Sequence, residues 1–185
     1  ENVVNVAISS GVKKICHISS IAALGEAIGG KSVKEEDFFN LDGLNTDYAI
    51  TKFGAEMEAW RATQEDIDVI IVNPGIIIGE GNWNSSSGQL ITKTDSGNNY
   101  YTGGGSGFVD VRDVALAAQK LTESSFKNNR YILVSENKSY LEVLDQIALR
   151  LQKRKPSIHL KSGVLKTLSY LLKIPNLLGF QHQLS

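Results

Sequence analysis

The chain has 185 residues, of which 42% are apolar and 21% are charged, a composition typical of a globular protein with one sizeable core. Its formal net charge of -1 argues against a nucleic-acid partner, because such proteins usually carry a basic stripe. A single cysteine, Cys16, excludes an intrachain disulfide framework and a multi-cysteine metal centre. Since the three histidines are also scattered, we predict no metal site.

The sequence contains no run of about 18 uninterrupted apolar residues, so we predict no membrane-spanning helix. The stretch VLKTLSYLLKIPNLLGF has helical spacing until Pro175, which favours a core or lid helix over a membrane-surface helix. The chain opens without a signal-peptide pattern or an initiator methionine, and its lone cysteine fits a reducing compartment. We therefore expect a cytoplasmic protein and a chain cut from a longer one.

The first half of the chain alternates between helix and strand patterns. ENVVNVAISSG has helical spacing, and KKICHISS follows as a short buried strand that ends at Ser19 and Ser20. After a polar loop, Thr46 or Asp47 can cap a helix that runs to about Gln64. DVIIVNPG is then a second buried strand. Strand, helix and strand in this order predict a parallel α/β sheet.

The second half begins with a segment rich in Gly, Ser and Asn, which predicts loops around a short helix. Within it, GGGSG at 103–107 is expected to be a flexible loop. FVDVRDVALAAQKLTE predicts a strand that enters a helix, and RYILVS predicts another strand. SYLEVLDQIALRLQKR predicts an amphipathic helix with a capping box at Ser139 and Glu142, and the basic run at 153–155 is expected at its solvated end.

A tyrosine and a lysine stand four residues apart in TDYAITKFGAEMEAW. On a helix, Tyr48 and Lys52 share one face. A free phenol titrates near pH 10 and is a poor base at neutral pH until a nearby cation favours its ionised form. The pair therefore suits proton transfer to or from an alcohol or carbonyl oxygen, although the same spacing is also common on solvated helix faces.

Three polar features follow one another in the order in which a doubly wound sheet would bring them together. These are the paired serines at the end of one strand, the Tyr48 and Lys52 pair on the next helix, and Pro74 and Gly75 at the end of the following strand. In open α/β sheets, ligands bind outside the carboxyl ends of the strands. The pair is therefore expected to belong to a ligand site.

This pattern resembles the extended short-chain dehydrogenase/reductase family, specifically its NAD-dependent epimerase/dehydratase branch and the dihydroflavonol reductase-like enzymes. GVKKICHISSIAALG is similar to the family's strand with its catalytic Ser or Thr, and YAITK to its Tyr-x-x-x-Lys motif. VNPGIIIGEG resembles a strand and loop that usually read Arg-Pro, and FVDVRDVA resembles a downstream signature. The resemblance implies a Rossmann-like, doubly wound parallel sheet, of which this chain holds the C-terminal part with a small helical substrate-binding portion.

The resemblance also implies roles for individual residues. Ser20 would hydrogen-bond the substrate oxygen, with Ser19 as the alternative, and Tyr48 would be the acid or base. Lys52 would hold the nicotinamide ribose hydroxyls and favour the ionised phenol. Pro74, Gly75, Ile76 and Ile77 would line the nicotinamide site. Asn73 stands where the family often has Arg, and we expect no effect on the proton relay. For Arg112 and Asp113 we favour a helix start with local pairing over substrate contact.

The implied cofactor is NAD or NADP, yet the chain as given contains no Gly-rich turn between a first strand and a helix. We therefore assign residues 1–185 to the C-terminal part of one domain, with roughly 79–107 and 136–185 as the substrate-binding portion.

The implied substrate is a small alcohol or ketone, such as a sugar nucleotide or a flavonoid-like ketone. The resemblance also implies a homodimer that forms through the Tyr48 helix. The alternatives to an enzymatic function are a non-catalytic nucleotide-binding or assembly protein of the same fold, or an inactive fragment.

Overall fold

A computed structural model describes most of the chain, namely residues 1–25, 32–43, 45–81, 83–84 and 87–161. Two compact units are present. The first comprises Glu1–Glu80 and Gly107–Asn137, and the second comprises Gly81–Ser106 and Lys138–Ser185. The second unit coincides closely with the predicted substrate-binding portion, whose role in binding stays a prediction.

Helices and strands alternate along the described chain. The first part contains α1 (Asn2–Ser9), β1 (Lys14–Ile18), a 3-10 turn (Ile21–Leu24), α2 (Asp47–Arg61), a second 3-10 turn (Ala62–Glu65), β2 (Asp68–Pro74) and β3 (Ile76–Ile78). The later part contains α3 (Gly88–Asp95), β4 (Tyr100–Thr102), β5 (Gly105–Asp110), α4 (Val111–Glu123), β6 (Asn129–Leu133), β7 (Glu136–Ser139), α5 (Tyr140–Arg150) and β8 (Ile158–Leu160).

The main sheet of the first unit has the strand order β1-β2-β6, and both pairings are parallel. In its register, Cys16 lies opposite Ile70 and Val72 lies opposite Tyr131. The central strand β2 is fully buried from Val69 to Val72, as expected for a parallel strand covered on both faces. The predicted parallel α/β sheet is therefore confirmed.

A hydrophobic cluster packs around the amino end of β2. Its buried members come from α1, α2, the segment between α2 and β2, and β2 itself, and they are Val4, Ala7, Ala59, Ala62, Ile67, Val69 and Ile71. We refer to these residues as the amino-end cluster. Burial of each Val or Ile side chain contributes about 1.5–3 kcal/mol, so this cluster fixes α2 against the sheet.

Helix α2 begins where one of the two predicted caps lies. Thr46 Oγ1 accepts a hydrogen bond from Ala49 N at 3.2 Å, so Thr46 rather than Asp47 is the N-cap. At the start of α5, the predicted capping box between Ser139 and Glu142 is also confirmed. Both helices therefore start at residues whose side chains satisfy otherwise unpaired backbone N–H groups.

The prediction of a flexible loop across GGGSG was wrong, because Gly105 and Gly107 belong to β5. The physical reason is close packing. A Cβ at Gly107 would lie 2.5 Å from Val134 Cγ2, and one at Gly105 would lie 2.4 Å from the Lys138 carbonyl oxygen. These glycines let neighbouring chain segments approach. The short strands β3, β4, β7 and β8 were not predicted either.

The described part of the second unit combines two helices with a small parallel sheet. α3 packs against α5, and β4 pairs with β8. Lys153 forms an ion pair with Asp95 at 3.1 Å, so this part of the basic run is paired beyond the end of α5. Among the described residues, no helix has the length and apolarity to cross a membrane. The stretch VLKTLSYLLKIPNLLGF lies outside the described residues.

Candidate active site

The two serines after β1 have different environments. Ser19 is only 4% exposed, and its hydroxyl donates a hydrogen bond to Glu56 Oε2 at 2.8 Å. Ser20 is partly buried, and its Oγ accepts a hydrogen bond from Ala22 N at 3.2 Å, which caps the 3-10 turn. Because Ser20 Oγ is the acceptor in that bond, its O–H can still donate to another group.

Helix α2 brings Lys52 to the carboxyl end of β1. Lys52 Nζ lies 3.5 Å from the carbonyl oxygen of Ile18 and 5.9 Å from the ring centroid of Tyr48. Tyr48 is 56% exposed, so its phenol is accessible to a ligand. The structure therefore brings the predicted lysine to the strand that leads to the two serines, with the tyrosine one helical turn before it.

A buried carboxylate that was not predicted from the sequence lies beside Ser19. Glu56 is 0% exposed, and its Oε2 accepts hydrogen bonds from the Ser19 hydroxyl and, at 3.0 Å, from Asn73 Nδ2. The Arg130 guanidinium lies 3.4 Å from Oε1. A signal was available in the sequence, because Glu56 follows Lys52 by four residues and so shares the helix face that turns towards the strand.

Asn73 has a larger role than the sequence predicted. It is 0% exposed in β2, and its Nδ2 also donates a hydrogen bond to the carbonyl oxygen of Ser20 at 2.9 Å. The amide therefore joins the Glu56 carboxylate to the backbone of Ser20. Whether this departure from the usual Arg leaves the proton relay unaffected stays a prediction, and Asn73 contacts one residue of that relay, Ser20, through its backbone carbonyl.

The predicted cofactor-contacting residues follow the end of the central strand. β2 ends at Pro74, Gly75 N donates to the Leu133 carbonyl at 3.0 Å, and Ile76 and Ile77 begin β3. A Cβ at Gly75 would lie 2.3 Å from the Gly107 carbonyl oxygen. The close approach of β5 therefore requires glycine at position 75, independently of the predicted cofactor contact.

His17 on β1 shares the electrostatic environment of the site. Burial is the main cause that lowers the pKa of this imidazole, and the positive charge of Lys52 lowers it further. The negative charge of Glu56 acts in the opposite direction and is the smallest of the three effects. The pKa of His17 therefore lies below its usual value of 6.5, which favours the neutral imidazole beside Lys52.

Arg112 pairs locally, as the sequence analysis favoured. Its guanidinium contacts the Asp110 carboxylate at 2.6 Å, and Asp110 also caps α4 by accepting from Arg112 N. These hydrogen bonds lower the pKa of Asp110 to about 2. Among the described residues, no group of three or more His, Cys, Asp or Glu side chains could hold a metal ion.

The fold and the site together define an α/β protein with a tyrosine and lysine pair beside the carboxyl end of a parallel strand. The sequence profile of the NAD dependent epimerase/dehydratase family matches residues 1–134. The chain therefore belongs to this family.

The chain is also similar in sequence to two reductases. A Synechocystis sp. protein that bears the name of dihydroflavonol 4-reductase is 31% identical over 155 residues, covering 80% of this chain and 45% of that protein. Cinnamoyl-CoA reductase 1 of Arabidopsis thaliana is 28% identical over 157 residues, covering 79% of this chain and 45% of that protein. The chain thus spans about half the length of these relatives.

Solved structures of two epimerases share the fold of this chain. A nucleoside-diphosphate-sugar epimerase from Pseudomonas aeruginosa superimposes with a TM-score of 0.83 at 20% identity, covering 92% of this chain and 57% of that one. UDP-glucose 4-epimerase from Thermus thermophilus, solved as a complex with NAD, gives a TM-score of 0.70 at 18% identity, covering 86% and 54%. The predicted Rossmann-like fold is therefore confirmed.

The described residues fit one end of a nicotinamide cofactor. Lys52 Nζ uses one of its three N–H groups on a backbone carbonyl at 3.5 Å, and the Tyr48 phenol is exposed. An ammonium with donor capacity left and an accessible phenol are suitable partners for ribose hydroxyls. These two side chains are therefore the candidates for holding the nicotinamide ribose of NAD or NADP.

Proposed function

We propose that this chain supplies the proton-transfer part of an NAD(P)-dependent oxidoreductase or epimerase/dehydratase that acts on an alcohol or ketone. One observation carries the proposal. α2 places the Lys52 ammonium 3.5 Å from the Ile18 carbonyl oxygen, directly before the two serines, with an exposed tyrosine one turn away. A donor, a cation and a phenol thus belong to adjacent elements at the edge of the sheet where α/β proteins bind ligands.

In this proposal, Ser20 donates a hydrogen bond to the substrate oxygen and Tyr48 gives or takes that oxygen's proton. Lys52 holds the ribose hydroxyls through its ammonium group. Pro74, Gly75, Ile76 and Ile77 line the nicotinamide site. When bound, the oxidised form of NAD or NADP would accept the hydride, and the reduced form would donate it. Ser19 is less suited to the substrate contact than Ser20, because its hydroxyl is already donated to Glu56.

The substrate is proposed to be a sugar nucleotide or a flavonoid-like ketone. The dihydroflavonol and cinnamoyl-CoA reductase names of the sequence relatives favour a ketone or thioester carbonyl. The epimerases among the solved structures are only 18–20% identical and support the fold alone, so a sugar nucleotide stays a candidate from the family resemblance. A dihydroflavonol, cinnamoyl-CoA and UDP-glucose therefore form a suitable first panel of substrates.

The proposal is tested in the full-length protein by assaying this panel with NADH, NADPH and their oxidised forms. Lys52→Met should raise the KM for the cofactor about tenfold or more and lower kcat. The exposed Lys120 of α4 provides a matched control, and Lys120→Met should behave like the wild type. A wild type inactive on every substrate, or a fully active Lys52→Met variant, would refute the proposal.

We also propose that two copies associate through the outer face of α2 in a cytoplasmic homodimer. Ile50 is 51% exposed and Met57 is 40% exposed on this helix, and their spacing of seven residues places them on one face. Exposed apolar side chains on one face are typical of an interface. Met57→Lys should halve the molar mass measured by light scattering, whereas Met57→Leu should leave it unchanged.

A further inference from the structure

Glu56 occupies an unusual place for a charged side chain. It is 0% exposed, and it lies on α2 one turn after Lys52 and two turns after Tyr48. Acidic side chains are seldom fully buried unless they are paired, because removing a carboxylate from water is costly. Its partners should therefore reveal what the carboxylate does.

Those partners come from three neighbouring strands. Ser19 follows β1, Asn73 lies in β2, and Arg130 lies in β6. The first two donate hydrogen bonds to Oε2 at 2.8 and 3.0 Å, and the guanidinium of the third lies 3.4 Å from Oε1. One carboxylate thus ties the helix that carries Tyr48 and Lys52 to all three strands of the main sheet.

Two of these partners also hold the backbone around Ser20. Asn73 Nδ2 donates to the Ser20 carbonyl oxygen at 2.9 Å while it also donates to Glu56. Ser19, the residue before Ser20, donates its hydroxyl to the same carboxylate and its backbone N–H to the Val72 carbonyl at 2.7 Å. The backbone on both sides of the Ser20 side chain is therefore held by the buried network.

We infer that Glu56 is a positioning residue, which acts through Ser19 and Asn73 to hold Ser20 in register with Tyr48 and Lys52. The inference rests on the proposed function and adds a residue to it. Glu56 itself has no access to a ligand, so it acts only through the residues that it contacts. A misplacement of about 1 Å at a reacting group can lower the rate about a hundredfold, which gives the network a measurable effect on turnover.

The kinetic test uses the full-length protein, NADPH and the most active substrate of the panel. Glu56→Gln preserves the side-chain volume and removes the charge, and Asn73→Ala removes the contact with Ser20 while Glu56 stays in place. In both variants kcat per folded molecule should fall roughly a hundredfold, with the KM for NADPH little changed. Ile67→Ala in the amino-end cluster is the control and should keep the wild-type kcat.

Backbone hydrogen exchange supplies a readout that does not require turnover. The amides of residues 19–24 include that of Ser19, bonded to the Val72 carbonyl, and that of Ala23, bonded to the Ser20 carbonyl. Exchange across this segment should become about tenfold faster in Glu56→Gln and Asn73→Ala. In Ile67→Ala it should stay at the wild-type rate.

The outcomes separate this inference from the proposed function. Wild-type kcat per folded molecule in both network variants, or unchanged exchange across residues 19–24, would overturn the positioning role even if the enzyme is active. An inactive wild type would refute the proposed function, and the exchange experiment would then still decide whether the network holds Ser20. If Glu56→Gln does not fold, Asn73→Ala carries both measurements.

Discussion

The two ends of β2 are both buried, but by different chemistry. At its amino end, α2 packs against the strand through the amino-end cluster, which contains Ala59 and Ile67. At its carboxyl end, the same helix meets the strand through Glu56 and Asn73. Apolar packing is non-directional and tolerates repacking, whereas a buried carboxylate depends on each of its donors. The directional contacts occur at the end where the candidate active site lies.

The largest loss of stability is expected from removing the carboxylate at the carboxyl end. Glu56→Leu leaves the Ser19 and Asn73 donors without their shared acceptor and the Arg130 guanidinium without its ion-pair partner, and should lower the free energy of unfolding by about 3–5 kcal/mol. Urea denaturation of the full-length protein measures this. The matched control is Glu58→Leu, which removes a half-exposed carboxylate paired with Arg61 at 3.1 Å and should cost less than about 1 kcal/mol. Equal losses in the two variants would contradict the difference drawn between the buried network and surface pairs.

Truncation at the amino end should affect stability without affecting chemistry. Ile67 is 4% exposed, and Ile67→Ala should lower the free energy of unfolding by about 2–5 kcal/mol through lost burial and a residual cavity. The kcat of the folded variant should equal that of the wild type. A substantial fall in kcat would mean that packing at the amino end of β2 affects the candidate active site at its carboxyl end, contrary to this prediction.

The close approach of β5 to the end of β2 gives a third test. A Cβ at position 75 would meet the Gly107 carbonyl at 2.3 Å, so Gly75→Ala should lower the free energy of unfolding by about 1–3 kcal/mol. Gly81 has no atom within 4 Å of such a Cβ, and Gly81→Ala should change stability by less than about 0.5 kcal/mol. Unaltered stability of Gly75→Ala would show that the strands can separate there without cost.

The smallest effect is expected from the pH dependence of stability. The folded protein holds the pKa of His17 below 6.5, mainly through burial. As the pH falls through 6.5 the unfolded chain takes up a proton that the folded protein does not, so stability should decrease from about pH 7.5 to 5.5. His17→Gln should reduce this slope. An identical slope in His17→Gln and the wild type would contradict the assignment.

Sequence reasoning predicted the elements whose patterns are local. The parallel strands β1 and β2, the helix with Tyr48 and Lys52, and the capping box at Ser139 all follow from apolar spacing and cap residues, and the structure confirms them. The strand predicted at FVDV is present as the later part of β5, but its start at Gly105 was missed because glycine propensity indicates a loop, whereas close packing against Lys138 overrides it.

The candidate site could be predicted only in its exposed part. Tyr48 and Lys52 are a local pair at helical spacing, and the structure places Lys52 at the end of β1 as expected. Glu56, Asn73 and Arg130 are separated by up to 74 residues in the chain, counted from position 56 to position 130, and meet only when α2 packs on the paired strands β2 and β6. No local pattern encodes such a meeting, so the buried network became visible only in the structure.

The central claim is that Tyr48 transfers the proton of the substrate oxygen at this edge of the sheet. The most direct measurement is the turnover of Tyr48→Phe in the full-length protein, together with its affinity for NADPH determined by fluorescence titration. We predict a loss of turnover of at least about a hundredfold, with cofactor affinity largely retained because Lys52 is still present. Undiminished turnover of Tyr48→Phe would contradict the account.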